Sequence, residues 1–175
     1  FQQGMENANE AIALLQTAEG SYNSISDIMI RMRELAVQAA SDTLTNKERA
    51  YLNTEFEDLT AEITRISDVA EYNGIQLLTG TSGANADGAM VFQVGTRNTV
   101  NDQIKITLKD QDSTALGIEA LGVDNLANSQ TAIATIDTAL DQLATDRATL
   151  GSKVNELTSS VDNLAVTIEN LSAAN

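Results

Sequence analysis

The chain has 175 residues, a formal net charge of −15, and no proline, histidine, cysteine or tryptophan. Without histidine or cysteine there is no His-based triad, thiol nucleophile, disulfide framework, or histidine or thiolate metal site. The charge argues against nucleic acid or an anionic membrane surface as a partner, because neutralising phosphate needs clustered Lys and Arg. There is also no 18-residue apolar run that would predict a membrane-spanning helix.

The core must be aliphatic, since hydrophobic residues make up 42% of the chain and aromatics only 3%. The absence of proline leaves long helices uninterrupted. Phe1 opens the chain in place of an initiator Met, which reads as a trimmed piece. Ala8, Ala11, Leu15, Ala18, Tyr22, Ile25, Met29, Met32, Ala36 and Ala39 follow one another at alternating spacings of 3 and 4. That heptad seam predicts one helix from about residue 5 to 40. The two methionines on it read as core filler rather than a cofactor box.

The pattern breaks at Ser41-Asp42-Thr43. It restarts after Thr45, with Glu48 three residues on as a capping box. Leu52, Phe56, Leu59, Ile63, Ile66 and Ala70 carry a second helix to about residue 70. From Tyr72 to Val123 the composition shifts, and seven of the ten glycines lie there. Asn73-Gly74 is a turn signal. Ile75–Leu78, Met90–Val94 and Ile104–Leu108 are strand candidates, and Thr79–Ala89 reads as a loop. The last seam is the longest: Ile133, Ile136, Leu140, Leu143, Arg147, Leu150, Val154, Leu157, Val161, Leu164, Ile168 and Leu171. It predicts a helix over about 127–174, roughly 70 Å long at ~1.5 Å per residue, which suggests a rod or coiled coil.

The predicted fold is mainly α: an elongated, antiparallel, coiled-coil-like rod of three long helices with a small β-hairpin region at one end. It is read as a single domain, 1–175. Residues 1–71 carry the N-terminal helices, 72–123 the Gly-rich β-hairpin segment and 124–175 the long C-terminal helix. The N- and C-terminal segments are expected side by side, with the middle of the chain at the far end.

Candidate chemistry is sparse. Glu55, Glu57 and Asp58 do not all share a helix face, and no apolar pocket is evident to raise a pKa, so they read as a solvated face. Asp110 and Asp112 resemble the start of a calcium loop, but Ala115 stands where glycine is required and Leu121 where glutamate is required. Asn170-Leu171-Ser172 is a glycosylation sequon placed mid-helix. There is no phosphate-cradling glycine motif. No residue set meets nucleophile–base requirements, so no enzyme is predicted and no cofactor is implied. Arg147 interrupts the last seam, either as a snorkelling side chain or as a polar register device.

Arg31, Glu34, Leu35 and Gln38 lie at i, i+3, i+4 and i+7 and form one stripe beside the Met29/Met32/Ala36 seam. Two readings stand: a salt-bridged helix face, or an exposed protein-binding patch in which Arg supplies bidentate pairing and Leu supplies burial.

Four stretches together resemble bacterial flagellin: "ANEAIALLQTAEGSYNSI" (8–25), "RMRELAVQAASDT" (31–43), "EITRISDVAEYNGIQLLTG" (62–80) and the C-terminal run from Ile136 to Asn175. The resemblance covers nearly the whole chain. It implies a secreted structural subunit of the extracellular flagellar filament, with the rod making lateral and axial contacts to further copies. It implies an export chaperone and a filament cap as partners, and unfolded passage through a narrow export channel, a route that a chain without cysteine suits. It also implies recognition by the flagellin-sensing Toll-like receptor of animals at the positions matching Arg31, Leu35 and Glu55. Arg33, Glu34 and Gln38 belong to the same stretch, and Ile136 matches a contact position on the C-terminal helix more loosely. Position 30 is Ile, where receptor-sensed flagellins commonly carry a polar residue. The family's extreme terminal helices are missing, so this piece is not expected to polymerise alone. Two rivals remain: a hook–filament junction protein, which shares the helical design, and a cell-surface adhesin built on a similar rod.

Overall fold

The structure, a computed structural model, describes residues 1–83 and 88–173; part of the Thr79–Ala89 loop lies outside them. Three long helices dominate: α1 (Gln2–Ala39), α2 (Asn46–Val69) and α3 (Leu126–Ala173). Between α2 and α3 come two antiparallel hairpins, β1 (Glu71–Tyr72) with β2 (Ile75–Gln76), and β3 (Ala89–Gln93) with β4 (Gln103–Thr107). Among the described residues no helix is long and apolar enough to cross a membrane.

Local chemistry explains the boundaries. The Thr45 side chain accepts from the Glu48 N–H, and the Glu48 carboxylate accepts from the Thr45 N–H, closing the capping box that starts α2. Asn73 and Gly74 have φ of 50° and 77°, the two positive values that a type I′ turn between β1 and β2 requires. The strands are shorter or shifted by a residue relative to the sequence expectation: Leu77 and Leu78 leave β2 and turn into the core, both fully buried.

Every seam residue expected on α1 is buried, from Ala8 to Ala39, at 0–1% exposure. Arg31 pairs with Glu55 of α2, and Arg33 pairs with Asp137 of α3. Residues two apart point about 200° apart around a helix, so α2 and α3 flank α1 on opposite sides there. The strap from Leu108 to Val123 runs back along the bundle and packs Leu108, Leu116, Ile118 and Val123 into the same core as Phe56, Ile63, Ile136 and Leu143.

One expectation is corrected. The middle of the chain does not sit at the far end from the termini. Asn7 donates its side-chain amide to the Gln93 carbonyl, and Gly4 lies directly under the backbone of Val94. The β3–β4 hairpin therefore packs beside the N-terminal half of α1, where α2 no longer covers it. The far end is formed by the turn after Ala39 and the start of α3.

On α3 the seam is half as expected. Ile136, Leu143, Leu150 and Leu157 are buried, but the intervening buried positions are Ala132, Ala139 and Asp146, while Ile133, Leu140 and Val154 lie at the edge of the core. The apolar stripe on α3 is broad, with Ala132 and Ala139 on its buried side.

Candidate functional site

The stripe singled out on α1 is tied into both flanking helices. Arg31 donates from Nε to Glu55 Oε1 at 2.8 Å and from Nη1 to Glu34 Oε2 at 3.3 Å. These bonds, that to Glu55 first, raise the Arg31 pKa above its ordinary value. Arg33 reaches the other way. Its Nε and Nη2 donate to the two carboxylate oxygens of Asp137, a bidentate fork across α1 and α3. That hydrogen bonding raises the Arg33 pKa and lowers that of Asp137.

Arg31, Glu34, Gln38 and Glu55 are exposed, and Arg33 is half-exposed. Leu35 is not: it is fully buried, as is Ile136. The patch with an exposed leucine is thus corrected to a charged surface lying over two buried aliphatic residues. The reason is geometric. Leu35 follows Arg31 by one turn but leans inward beside Met32 and Ala36, where α2 covers it. Ile30 and Val37, in contrast, are 47% and 48% exposed and flank Arg33 at i−3 and i+4.

The acidic residues of α2 are where a solvated face would place them. Glu55, Glu57 and Asp58 are exposed, and Glu57 accepts from Asn53. Asp110 and Asp112 cap local turns, accepting from the N–H groups of Asp112 and Ala115.

Two polar sites escaped the sequence reading. Arg49, 5% exposed, donates to the carbonyls of Ala39 at 2.7 Å and Ser41 at 2.7 Å, and to Asn46 Oδ1. It thereby satisfies carbonyls left without partners at the end of α1. The second is a node in the bundle. Asp146 accepts from Lys109 at 2.7 Å, Gln111 at 3.0 Å and Gln142 at 2.9 Å, and Gln111 also donates to the Tyr22 hydroxyl. Burial, then the Asp146 charge, push the Tyr22 hydroxyl pKa above its ordinary value, partly offset by the Gln111 hydrogen bond. The polar seam position is therefore Asp146 and not Arg147, whose half-buried side chain holds a buried Nε with no partner among the described residues. A one-residue change of register hid the node, and nothing local marks Gln111 as its bridge.

The bacterial flagellin N-terminal helical region matches residues 1–83, and the bacterial flagellin C-terminal helical region matches residues 133–175. The flagellin of Halalkalibacterium halodurans is 34% identical to this chain over 98% of it, and the match spans 61% of that relative's own length. The crystal structure of Bacillus cereus flagellin is similar with a TM-score of 0.76 and 30% identity, covering 98% of this chain and 95% of that one. A putative flagellar hook-associated protein from Vibrio parahaemolyticus is similar with a TM-score of 0.75 over 99% of this chain and 90% of that one, at 15% identity, which speaks to the fold alone.

Proposed function

This chain belongs to the bacterial flagellin family, and from that premise we propose that it is the rod portion of a flagellar filament subunit. The family is structural, not enzymatic. The observation that carries the reading is the antiparallel pairing of α1 and α3 along the whole of α1: Arg33 meets Asp137 near one end, and Met5 lies beside Ile168 at the other. The two regions matched by the family descriptions are thereby fused into one rod with both termini at the same end. Copies of such a rod joined by heterologous contacts that do not close generate a filament. The hook–filament junction rival shares the fold, so the fold does not separate the two; the flagellin matches to both terminal regions favour the filament subunit.

Around this reading stand an export chaperone, a filament cap and an extracellular location, all supported by family membership. The Arg31, Arg33, Glu34, Gln38 and Glu55 surface is proposed as the face that contacts neighbouring copies and, on the isolated subunit, the flagellin-sensing Toll-like receptor. Leu35 and Ile136 support it from beneath.

Electron microscopy of the full-length protein with both termini present tests the assembly reading. Filaments from the wild type, and none or unstable ones from Arg31→Ala/Glu55→Ala, are expected. A wild type that forms no filaments under conditions that polymerise other flagellins would overturn the reading. For the receptor, cells reporting Toll-like receptor signalling should respond less to Arg31→Ala than to wild type. An equal response at matched concentration would remove that role from the surface.

A further inference from the structure

Asparagine is common in this chain, but Asn73 is the only one followed by glycine. The pair forms the exposed turn between β1 and β2. Gly74 has no side chain to shield its amide nitrogen, and nothing lies within 4 Å of a Cβ built there. Its N–H makes no hydrogen bond among the described residues. Asn23, Asn53 and Asn155, in contrast, lie in helix interiors, where the helix ladder holds the following N–H. The hairpin that carries Asn73 has only two residues in each strand, and so short a ladder opens locally at little cost. Opening frees the turn dihedrals and lets the Gly74 nitrogen reach the side-chain carbonyl carbon of Asn73.

We propose that Asn73 is a self-modification site, which loses ammonia through attack by its own neighbour, becomes aspartate or isoaspartate, and so releases the turn from α1. The Gly74 nitrogen bonds to the side-chain carbonyl carbon of Asn73. The bond from that carbon to the amide nitrogen breaks, and the Gly74 proton passes through solvent to the leaving group, which departs as ammonia. A five-membered succinimide ring remains. Solvent water opens it at one carbonyl or the other, giving aspartate or isoaspartate. The net change is one water consumed and one ammonia released, with no oxidant, reductant or cofactor. The consequence lies in what Asn73 now holds. Its Nδ2 donates to Glu10 Oε1 of α1 at 3.3 Å. The product has no N–H to give there and sets a second carboxylate against Glu10. Isoaspartate also adds a backbone carbon to a turn whose two positive φ values fit the flanking strands. Either product weakens the tie between the hairpin and the N-terminal half of α1. This chemistry needs only the folded monomer.

The experiment holds the purified full-length protein warm at mildly acidic and mildly alkaline pH, beside a peptide of residues 71–76 as a clock. Ammonia release, isoaspartate content and peptide mass spectrometry are followed in time. Conversion is expected at position 73 ahead of every other asparagine, with isoaspartate among the products. It should be faster at alkaline pH, because the attacking nitrogen reacts in its deprotonated form. An intact Asn73 in the protein after the peptide has converted overturns the site. Aspartate without isoaspartate overturns the attack by Gly74, since direct hydrolysis of the side chain gives aspartate alone. Denaturant unfolding then tests the consequence. Asn73→Asp should lower the folding equilibrium constant about two- to fivefold at neutral pH. The deficit should shrink as falling pH protonates the two facing carboxylates, and should shrink again in the Glu10→Gln background. Stability equal to wild type, or a deficit that Glu10→Gln leaves unchanged, overturns the link to α1.

Discussion

Helix α1 passes through two environments, and their difference shows how one seam can serve two partners. Its C-terminal half lies between α2 and α3 and buries Tyr22, Ile25, Met29, Met32, Leu35, Ala36 and Ala39. Its N-terminal half lies between the tail of α3 and the β-hairpins and buries Gly4, Ala8, Ala11, Leu14, Leu15 and Ala18. Both halves mix large and small seam residues, and the difference is concentrated at Gly4, the one buried glycine of the helix. The β3–β4 hairpin brings its backbone against α1 at Gly4, where an added Cβ would collide with the carbonyl of Val94.

The comparison can be broken most forcefully in the α2 half. Phe56 is fully buried against α1 and the strap, and Phe56→Ala should cost about 3–5 kcal/mol in denaturant unfolding. A loss near zero would mean that α2 does not anchor this half. In the hairpin half, Gly4→Ala should destabilise by about 1–3 kcal/mol, because the Val94 backbone must move aside. Its control is Gly20→Ala in the same helix. No neighbour lies within 4 Å of an added Cβ there, so the better helix former should stabilise by about 0.5–1 kcal/mol. If Gly4→Ala and Gly20→Ala behave alike, the close approach of the hairpin is refuted.

The smallest effect concerns the cross-helix ion pair. Hydrogen bonds from Arg33 lower the folded-state pKa of Asp137. A carboxylate depressed in this way contributes stability above its unfolded value, about 3.9, and loses it as the pH falls through the lower folded value. Arg33→Ala should therefore lower stability slightly from neutral pH down to about pH 4 and converge with wild type below it, giving a shallower acid limb; the effect is small because the pair is largely exposed. An acid limb identical to wild type would show that the pair is not formed in solution.

Much of the rod was legible because its signals are local. The capping box at Thr45 and Glu48, the Asn73-Gly74 turn and the α1 seam each depend on residues within one or two turns of one another. The candidate surface was legible only in part. Arg31 and Glu55 do meet, but they are 24 residues apart in the chain, and Arg33 and Asp137 are separated by 104. Which arginine turns to which helix follows from where α2 and α3 settle, and no spacing reports that. The same holds for Leu35, whose stripe position suggested exposure and whose actual neighbours are core residues.

By itself the sequence determined three long helices, their caps and breaks, an aliphatic core, and a glycine-rich hairpin segment between the second and third helices. These follow from periodicity, propensity and turn chemistry, which act over a few residues. The tertiary structure decided that the hairpins return to the end that carries the termini, that Asp146 and not Arg147 faces the interior, and that Leu35 and Ile136 lie beneath the charged surface. An apolar stripe wider than a strict heptad admits more than one register. The burial of Ala132 and Ala139 in the core, and the strap that carries Gln111 and Lys109 to Asp146, select one of them.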